Sequence, residues 1–224
     1  MISRILVGLD GSKYSEIAGE YGIWFSKKLN KPVIGVHIID VRLLEGPFIE
    51  DVAGALGFTT YSDITPKVKE ALEERAKVIL DTFAKKCREE GGDCSIAQAY
   101  GIVYKELVEM TDPEDLIIIG KKGQHPQFVN LFLGSNAENV ARHSKCPVMI
   151  TNDKFKEIKN VVLFFDGREK SIHAVNYLNG LYKDLGLNSV KIVSVLEEDS
   201  VEMKNHIKDL LNTHAQFKYE AQFF

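Results

Sequence analysis

The sequence predicts an α/β fold, a five-stranded parallel sheet sandwiched by helices and followed by a partial second copy. Three observations predict it. Short apolar runs alternate with helix-period segments from Ile5 to Ile150, and most runs stop at a polar or turn-forming residue. A shift of 156 residues then lays Val161–Gly167 over Ile5–Gly11.

Ile5-Leu6-Val7-Gly8-Leu9 is an apolar run stopped by Asp10-Gly11-Ser12, after which Ile17, Ala18, Tyr21, Trp24 and Phe25 recur at helical spacing up to Lys31-Pro32. This reads as strand, turn, helix. Val33 to Ile39 is a second run, ending at Asp40. From Val41 to Thr65 about 25 residues show no clear period, long for a connection, and long connections are often functional. Leu44, Phe48, Ile49, Val52, Leu56 and Phe58 in this stretch have partly helical spacing, which suits a lid, a dimer contact or a packing cover. Thr65-Pro66 fits an N-cap and a first-turn proline, and Val68, Leu72, Ala76, Ile79 and Phe83 form the stripe of a long helix closed by Gly91-Gly92. Ser95 to Tyr100 reads as a strand and Tyr104 to Met110 as a short helix. Asp115 to Gly120 is apolar without interruption, as a parallel strand covered on both faces requires. Beyond a polar, glycine-bearing loop, Ser135 and Glu138 have capping-box spacing and open a helix ending near Lys145. Pro147 to Ile150 is the fifth strand.

Continuing the same shift places Ser171 on Ser15, Ala174 on Ala18, Tyr177 on Tyr21 and Val195 on Ile39. A helix around Val201 to Asn212 and a strand at Gln216 to Phe224 follow, without a counterpart of Gly120–Ser135. Residues 152–160, rich in Lys, Asp and Asn, read as a linker between a domain at 1–152 and a partial domain at 160–224.

With 224 residues and 45% hydrophobic content the chain can bury a full core, which excludes a peptide scaffold and disorder. Lys+Arg 28 against Asp+Glu 32 leaves a net charge of -4, no field for a phosphate backbone, so no nucleic-acid partner is expected. The basic run Lys154–Lys159 is broken by Glu157 and reads as a solvated linker. No stretch approaches the roughly 20 apolar residues of a membrane span. The start of the chain runs straight into a strand pattern, and with three cysteines the cytosol is the expected compartment. Cys87 and Cys94 read as core or helix-end thiols and Cys146 as a structural one. His125 and His143 fit either a phosphate contact or a loop and a helix end.

In an open parallel sheet, ligands bind beyond the carboxyl ends of the strands, where strand order reverses. Three features are expected to converge there. In Gly8-Leu9-Asp10-Gly11-Ser12, Asp10 either accepts bonds from a ribose or adenine edge or caps the next helix. In His37-Ile38-Ile39-Asp40, an apolar residue either offers its backbone to a base or simply ends a strand. Gly120-Lys121-Lys122-Gly123, a ten-residue gap and Gly134-Ser135 at a helix start suit an anion. Glycines admit close approach, and helix-start amides favour phosphate. Ordinary connectors also use such glycines. Neither a P-loop nor a Gly-x-Gly-x-x-Gly dinucleotide fingerprint is present.

Taken in order, a first strand ending in Asp-Gly-Ser, a His-x-x-Asp at the second strand end and a strand leading to Gly-x2-Gly-x9-Gly-Ser/Thr resemble the universal stress protein family. The resemblance covers residues 2–152 and, from Asn160, the first half of a domain. It implies an adenine nucleotide alpha hydrolase-like sheet that binds ATP, with or without Mg2+. The phosphates and ribose would lie on Gly120, Gly123, Gly134, Ser135, Asn136 and Ala137, with charge from Lys121 and Lys122. Gly8, Leu9, Asp10 and Ile38 would surround the adenosine. It also implies a stress-associated cytoplasmic regulator or adaptor, a homodimer or pseudo-dimer, hydrolysing ATP slowly at most. The alternative within the same family is an interaction module that binds no nucleotide. The chain departs from the family pattern in three places. The Gly123–Gly134 gap has ten residues rather than nine and contains Pro126, and Ala137 offers no hydroxyl. Phe164 and Arg168 replace Gly8 and Ser12 in the second copy, where Phe164 is expected to fill the equivalent pocket, leaving one nucleotide site per chain.

Overall fold

Ile5, Leu6 and Val7 are almost wholly buried, as a central parallel strand with helices on both faces must be. The computed structural model describes residues 2–44, 61–123, 133–196 and 200–224, together with Ala55. They fall into two units, Ile2–Phe155 and Lys156–Phe224, divided inside the polar stretch 152–160. In the first unit the order is β1 (Ile5–Gly8), α1 (Lys13–Leu29), β2 (Val33–Asp40), a single 3-10 turn (Val41–Leu43), α2 (Tyr61–Glu89), β3 (Cys94–Gly101), α3 (Val103–Glu109), β4 (Leu116–Gly120), α4 (Ser135–His143) and β5 (Val148–Thr151). The sheet is parallel throughout, in the order β3-β2-β1-β4-β5. From β1 the chain leaves through α1 toward β2, and from β4 it leaves through α4 toward β5 on the other side. Strand order therefore reverses between β1 and β4.

Alternation decides which side chains meet which helices. Leu6, Val36, Ile38, Ile117 and Ile119 face α3 and α4, where Leu107, Ala137 and Val140 complete a buried cluster. On the opposite face α1 and α2 close in, with Phe83 of α2 over Gly35 and Leu9. The turn between β1 and α1 needs Gly11, whose φ of 78° places it in the left-handed region. Ser12 caps α1 by accepting the Ser15 N–H at 3.2 Å.

Three expectations need correction here. The long helix begins at Tyr61, more than a turn before Thr65-Pro66, so Pro66 lies inside it rather than at its first position. Cys87 and Cys94 are not separate thiols but a disulfide, which ties the end of α2 to the start of β3 across the Gly91-Gly92 turn. Ser135 is the first residue of α4 and not its cap. The chain enters through Gly134, extended at φ -71° and ψ 151°, and Glu138 pairs with Arg142 at 2.8 Å instead of reaching back. The hydrophobic segment between Leu44 and Phe58 lies almost entirely outside the described residues, as do His125 and Pro126.

The second unit contains β6 (Asn160–Phe164), α5 (Glu169–Asp184), β7 (Ser189–Ser194), α6 (Val201–His214) and β8 (Glu220–Phe223), in a parallel sheet of order β6-β7-β8. Its first turn repeats three features of the first unit's, although Arg168 provides no counterpart of the Ser12 side-chain cap. Asp10 accepts the Ser12 N–H at 2.9 Å, and Asp166 accepts the Arg168 N–H at 2.9 Å. Gly167 has φ 75°, and the hydroxyls of Ser15 and Ser171 both donate, at 2.9 Å, to the carbonyl three residues earlier. The shift does not stay at 156. Ile5 pairs with Val33 but Val161 pairs with Val190, so the second unit has gained one residue before its second strand. Ile39 thus corresponds to Leu196, not to Val195, which is 71% exposed where Ile39 is buried.

Candidate functional site

Beyond the carboxyl ends of β1 and β4, at the reversal of strand order, the first unit holds a cavity of about 280 Å³. Gly8, Leu9 and Asp10 from β1, Ile38 from β2, Gly120, Lys122 and Gly123 after β4, and Gly134, Ser135, Asn136 and Ala137 at the start of α4 all line it. These eleven residues, all named for the nucleotide in the sequence, thus lie on one surface. Ser15, Val36, Val103, Leu107, Ile119 and Lys121 line it as well. Of these, Lys121 was already marked by its charge. Val103 and Leu107 had a signal in their i, i+4 spacing on a short helix, whereas Val36 and Ile119 carried none beyond a buried strand.

The cavity has two chemically distinct ends. Val36, Ile38, Val103, Leu107 and Ile119 form an apolar end, suited to the face of a flat heterocycle. At the other end the first turn of α4 opens with Gly134 as its cap residue, and no side chain caps it. Ser135, Asn136 and Ala137 present first-turn amides there, beside Lys121 and Lys122, so positive potential gathers at this end. Glycine keeps the two walls close. A Cβ on Gly123 would stand 3.2 Å from Asp10 Oδ2, and one on Gly8 would stand 3.5 Å from Leu107 Cδ2.

Asp10 is not the cap of α1, since that bond belongs to Ser12. Its carboxylate closes the turn through the Ser12 N–H and faces Gly123. His37 lies behind this wall. Its Nδ1 is 2.7 Å from the Leu9 carbonyl, which can only accept, so Nδ1 carries the proton. Burial lowers the His37 pKa, opposed in part by that bond and by the Asp10 carboxylate. Asp40 does not line the cavity. It caps the 3-10 turn through the Arg42 N–H and pairs with the Arg42 guanidinium, which holds its carboxyl below the usual range. His143 bonds the Asn139 carbonyl at 2.8 Å at the end of α4, outside the cavity. Cys146 is a buried free thiol in the cluster beneath α3 and α4.

A sequence model of the universal stress protein family matches residues 1–152. The chain belongs to the universal stress protein family. Among its curated members, a universal stress protein of Synechocystis is 24% identical over 232 residues, covering 99% of this chain and 80% of the relative. One from Methanocaldococcus jannaschii is 28% identical over 160 residues, 70% of this chain and 86% of the relative. Among solved structures, a universal stress protein from Archaeoglobus fulgidus shares the fold with a TM-score of 0.73 at 20% identity, covering 98% of this chain and 77% of its own.

The second unit differs at the matching place. Phe164, at the Gly8 position, does not fill a pocket but stands 72% exposed. Among the described residues the second unit has no helices corresponding to α3 and α4. Nor is any described helix long and apolar enough to cross a membrane.

Proposed function

We propose that this universal stress protein binds one adenine nucleotide, ATP in the first instance, in the first unit and works as a nucleotide-dependent regulatory or adaptor protein in a stress response. The observation that carries the reading is the two-ended cavity at the strand-order reversal. Its apolar end suits a purine, and its amide-lined, lysine-flanked end suits phosphates. Gly123 and Gly134 give room for phosphate oxygens, while Gly120 presents its backbone to the ligand and lets α1 approach, a Cβ there standing 2.8 Å from the Tyr14 backbone. Ser135, Asn136 and Ala137 donate amides, and Lys121 and Lys122 add charge. Gly8, Leu9, Asp10 and Ile38 surround the adenosine. The donor set fits a triphosphate, while magnesium would rely on those phosphates and on Asp10, because no cluster of three metal-ligating side chains exists among the described residues. Asp10 alone supports no efficient general-base chemistry, so slow hydrolysis is the most the site is proposed to perform.

Two measurements test this. Small molecules released by denaturing freshly purified protein are identified by mass spectrometry, and the stripped protein is titrated calorimetrically with ATP, ADP and AMP, with and without magnesium. Released or titratable adenine nucleotide is the expected result. Nucleotide by neither route would overturn the reading and leave the family alternative, an interaction module.

A further inference from the structure

We propose that the cavity between α1 and α2 is a second small-molecule site, which takes an apolar amine in its charged, ammonium form. This goes beyond nucleotide binding and does not depend on it.

A volume of about 370 Å³ is open there, against about 280 Å³ in the cavity beside α4. The space follows from the way Phe83 lies. Its ring is sunk onto the sheet, where a Cβ on Gly35 would stand 2.5 Å from Phe83 Cδ1 and one on Gly19 3.3 Å from Phe83 Cδ2. Gly19 itself lines the cavity, and without a side chain it leaves the room between the two helices unfilled. Leu9, Ile23 and Phe83 are buried and make an apolar floor, while Val78 on the lining is 66% exposed. Val78 lies off the stripe of Leu72, Ala76, Ile79 and Phe83 that packs α2 onto the sheet, so that packing does not account for an apolar side chain at its position.

The polar atoms around this floor accept rather than donate. Ser15, 4% exposed, gives its hydroxyl proton to the Ser12 carbonyl at 2.9 Å, and Thr82 gives its own to the Val78 carbonyl at 2.7 Å. Each oxygen is left with lone pairs for a ligand. Lys86 is paired with Glu20 at 2.6 Å, which leaves Glu16 as a lining carboxylate without an ion pair among the described residues. An apolar floor, acceptor oxygens and an excess of negative charge select an apolar body bearing charged N–H donors. A phosphate-bearing ligand would meet Glu16 and Glu20 here, in place of the amides and lysines of the other cavity.

The test titrates the isotope-labelled full chain with phenethylamine and follows amide shifts by NMR. Leu9 and Ser15 line both cavities, so residues that line only one of them locate the ligand. Shifts are expected at Gly19 and Thr82 and not at Ser135–Ala137, saturating with a Kd of about 1 mM or below. Phenylacetate, of similar size and opposite charge, is expected to bind at least ~10-fold more weakly. Glu16→Gln removes the unpaired carboxylate, and Thr82→Lys sets a second cation at an exposed position of the lining. Each is expected to weaken phenethylamine binding at least ~3-fold, read at Gly19 in variants whose remaining amides match wild type. Absence of shifts at Gly19 and Thr82, equal affinity for phenylacetate, or full affinity in either variant overturns the proposal. ATP titration of the same samples reads the other cavity, so failure of one reading leaves the other standing.

Discussion

The amide of Gly134 donates to the carbonyl of Lys121 at 2.9 Å, so the two ends of the glycine loop meet although ten residues separate Gly123 from Gly134. A Cβ on Gly134 would stand 3.3 Å from the Lys121 oxygen and 3.5 Å from Lys122 Cα, and backbone atoms cannot swing aside as a side chain can. Gly134→Val is therefore expected to part the loop ends and weaken ATP binding at least ~10-fold, about 1.4 kcal/mol, with the first unit still folded. Calorimetric titration beside a circular dichroism melt checks it. Gly123→Val, which intrudes from the other wall toward Asp10, should act in the same direction. Full affinity in both variants would take the loop out of the site.

The Gly8 position separates space from chemistry. A Cβ there meets Leu107 Cδ2 at 3.5 Å and Ile119 Cγ1 at 3.6 Å, ordinary contact distances, so Gly8→Ala should fold and bind nearly as wild type. Gly8→Phe copies the residue of the second unit into the cavity. It is expected to abolish nucleotide binding, measured by titration, while retaining the helical circular dichroism signal. Binding by the Phe variant at wild-type affinity would show that the ligand lies elsewhere.

Much of this was legible in the sequence for a plain reason. A parallel strand buried on both faces must be apolar throughout, and Ile5–Leu9 and Leu116–Ile119 are. The glycines and Asp10 stood at strand ends, where the fold rule puts ligands, so the polar wall of the cavity was readable as well. What escaped depended on partners distant in the chain. Val103 and Leu107 share one face of a short helix by their spacing, but they line the cavity only because α3 folds back over β2, which that spacing does not state. Ser135 carried a capping-box pattern, but the Gly134–Lys121 bond draws Gly134 into the cap position. Cys87 and Cys94 lack a recognisable spacing. Their pairing is made by the Gly91-Gly92 turn, where a Cβ on Gly92 would stand 2.8 Å from Cys87 Sγ. The repeat slipped by one residue because burial alternation, not identity, marks where β7 begins.

That disulfide has a measurable consequence. It closes a loop of eight residues, counted from a sequence separation of 7. Restricting the unfolded chain to this extent is worth about 2.5 kcal/mol. Cys94, half-buried at the start of an edge strand, is the partner to remove, since Cys87 belongs to the packed face of α2. Cys94→Ser should lower the unfolding free energy by about that amount in urea titrations without reductant. Dithiothreitol should cost wild type the same and the variant nothing. If wild type is insensitive to reductant, the pair contributes no stability.

His37 makes stability depend on pH in a defined window. Burial lowers its pKa below the ordinary 6.5, and the nearby Arg75 adds to this, while the Leu9 carbonyl and Asp10 resist. The unfolded chain therefore takes up the proton first. Stability contributed by the neutral imidazole is complete above about pH 6.5 and is lost as pH falls through the folded value. Asp40 also has a lowered pKa, but from an ordinary value of 3.8, so its contribution disappears only in more acidic solution. The interval just below pH 6.5 thus reports on His37. In urea unfolding at successive pH values, His37→Asn is expected to flatten the decline over that interval while leaving the acid limb unchanged. Parallel wild-type and variant profiles would mean that the His37 bond to Leu9, and with it the wall of the cavity, is indifferent to the protonation of this ring.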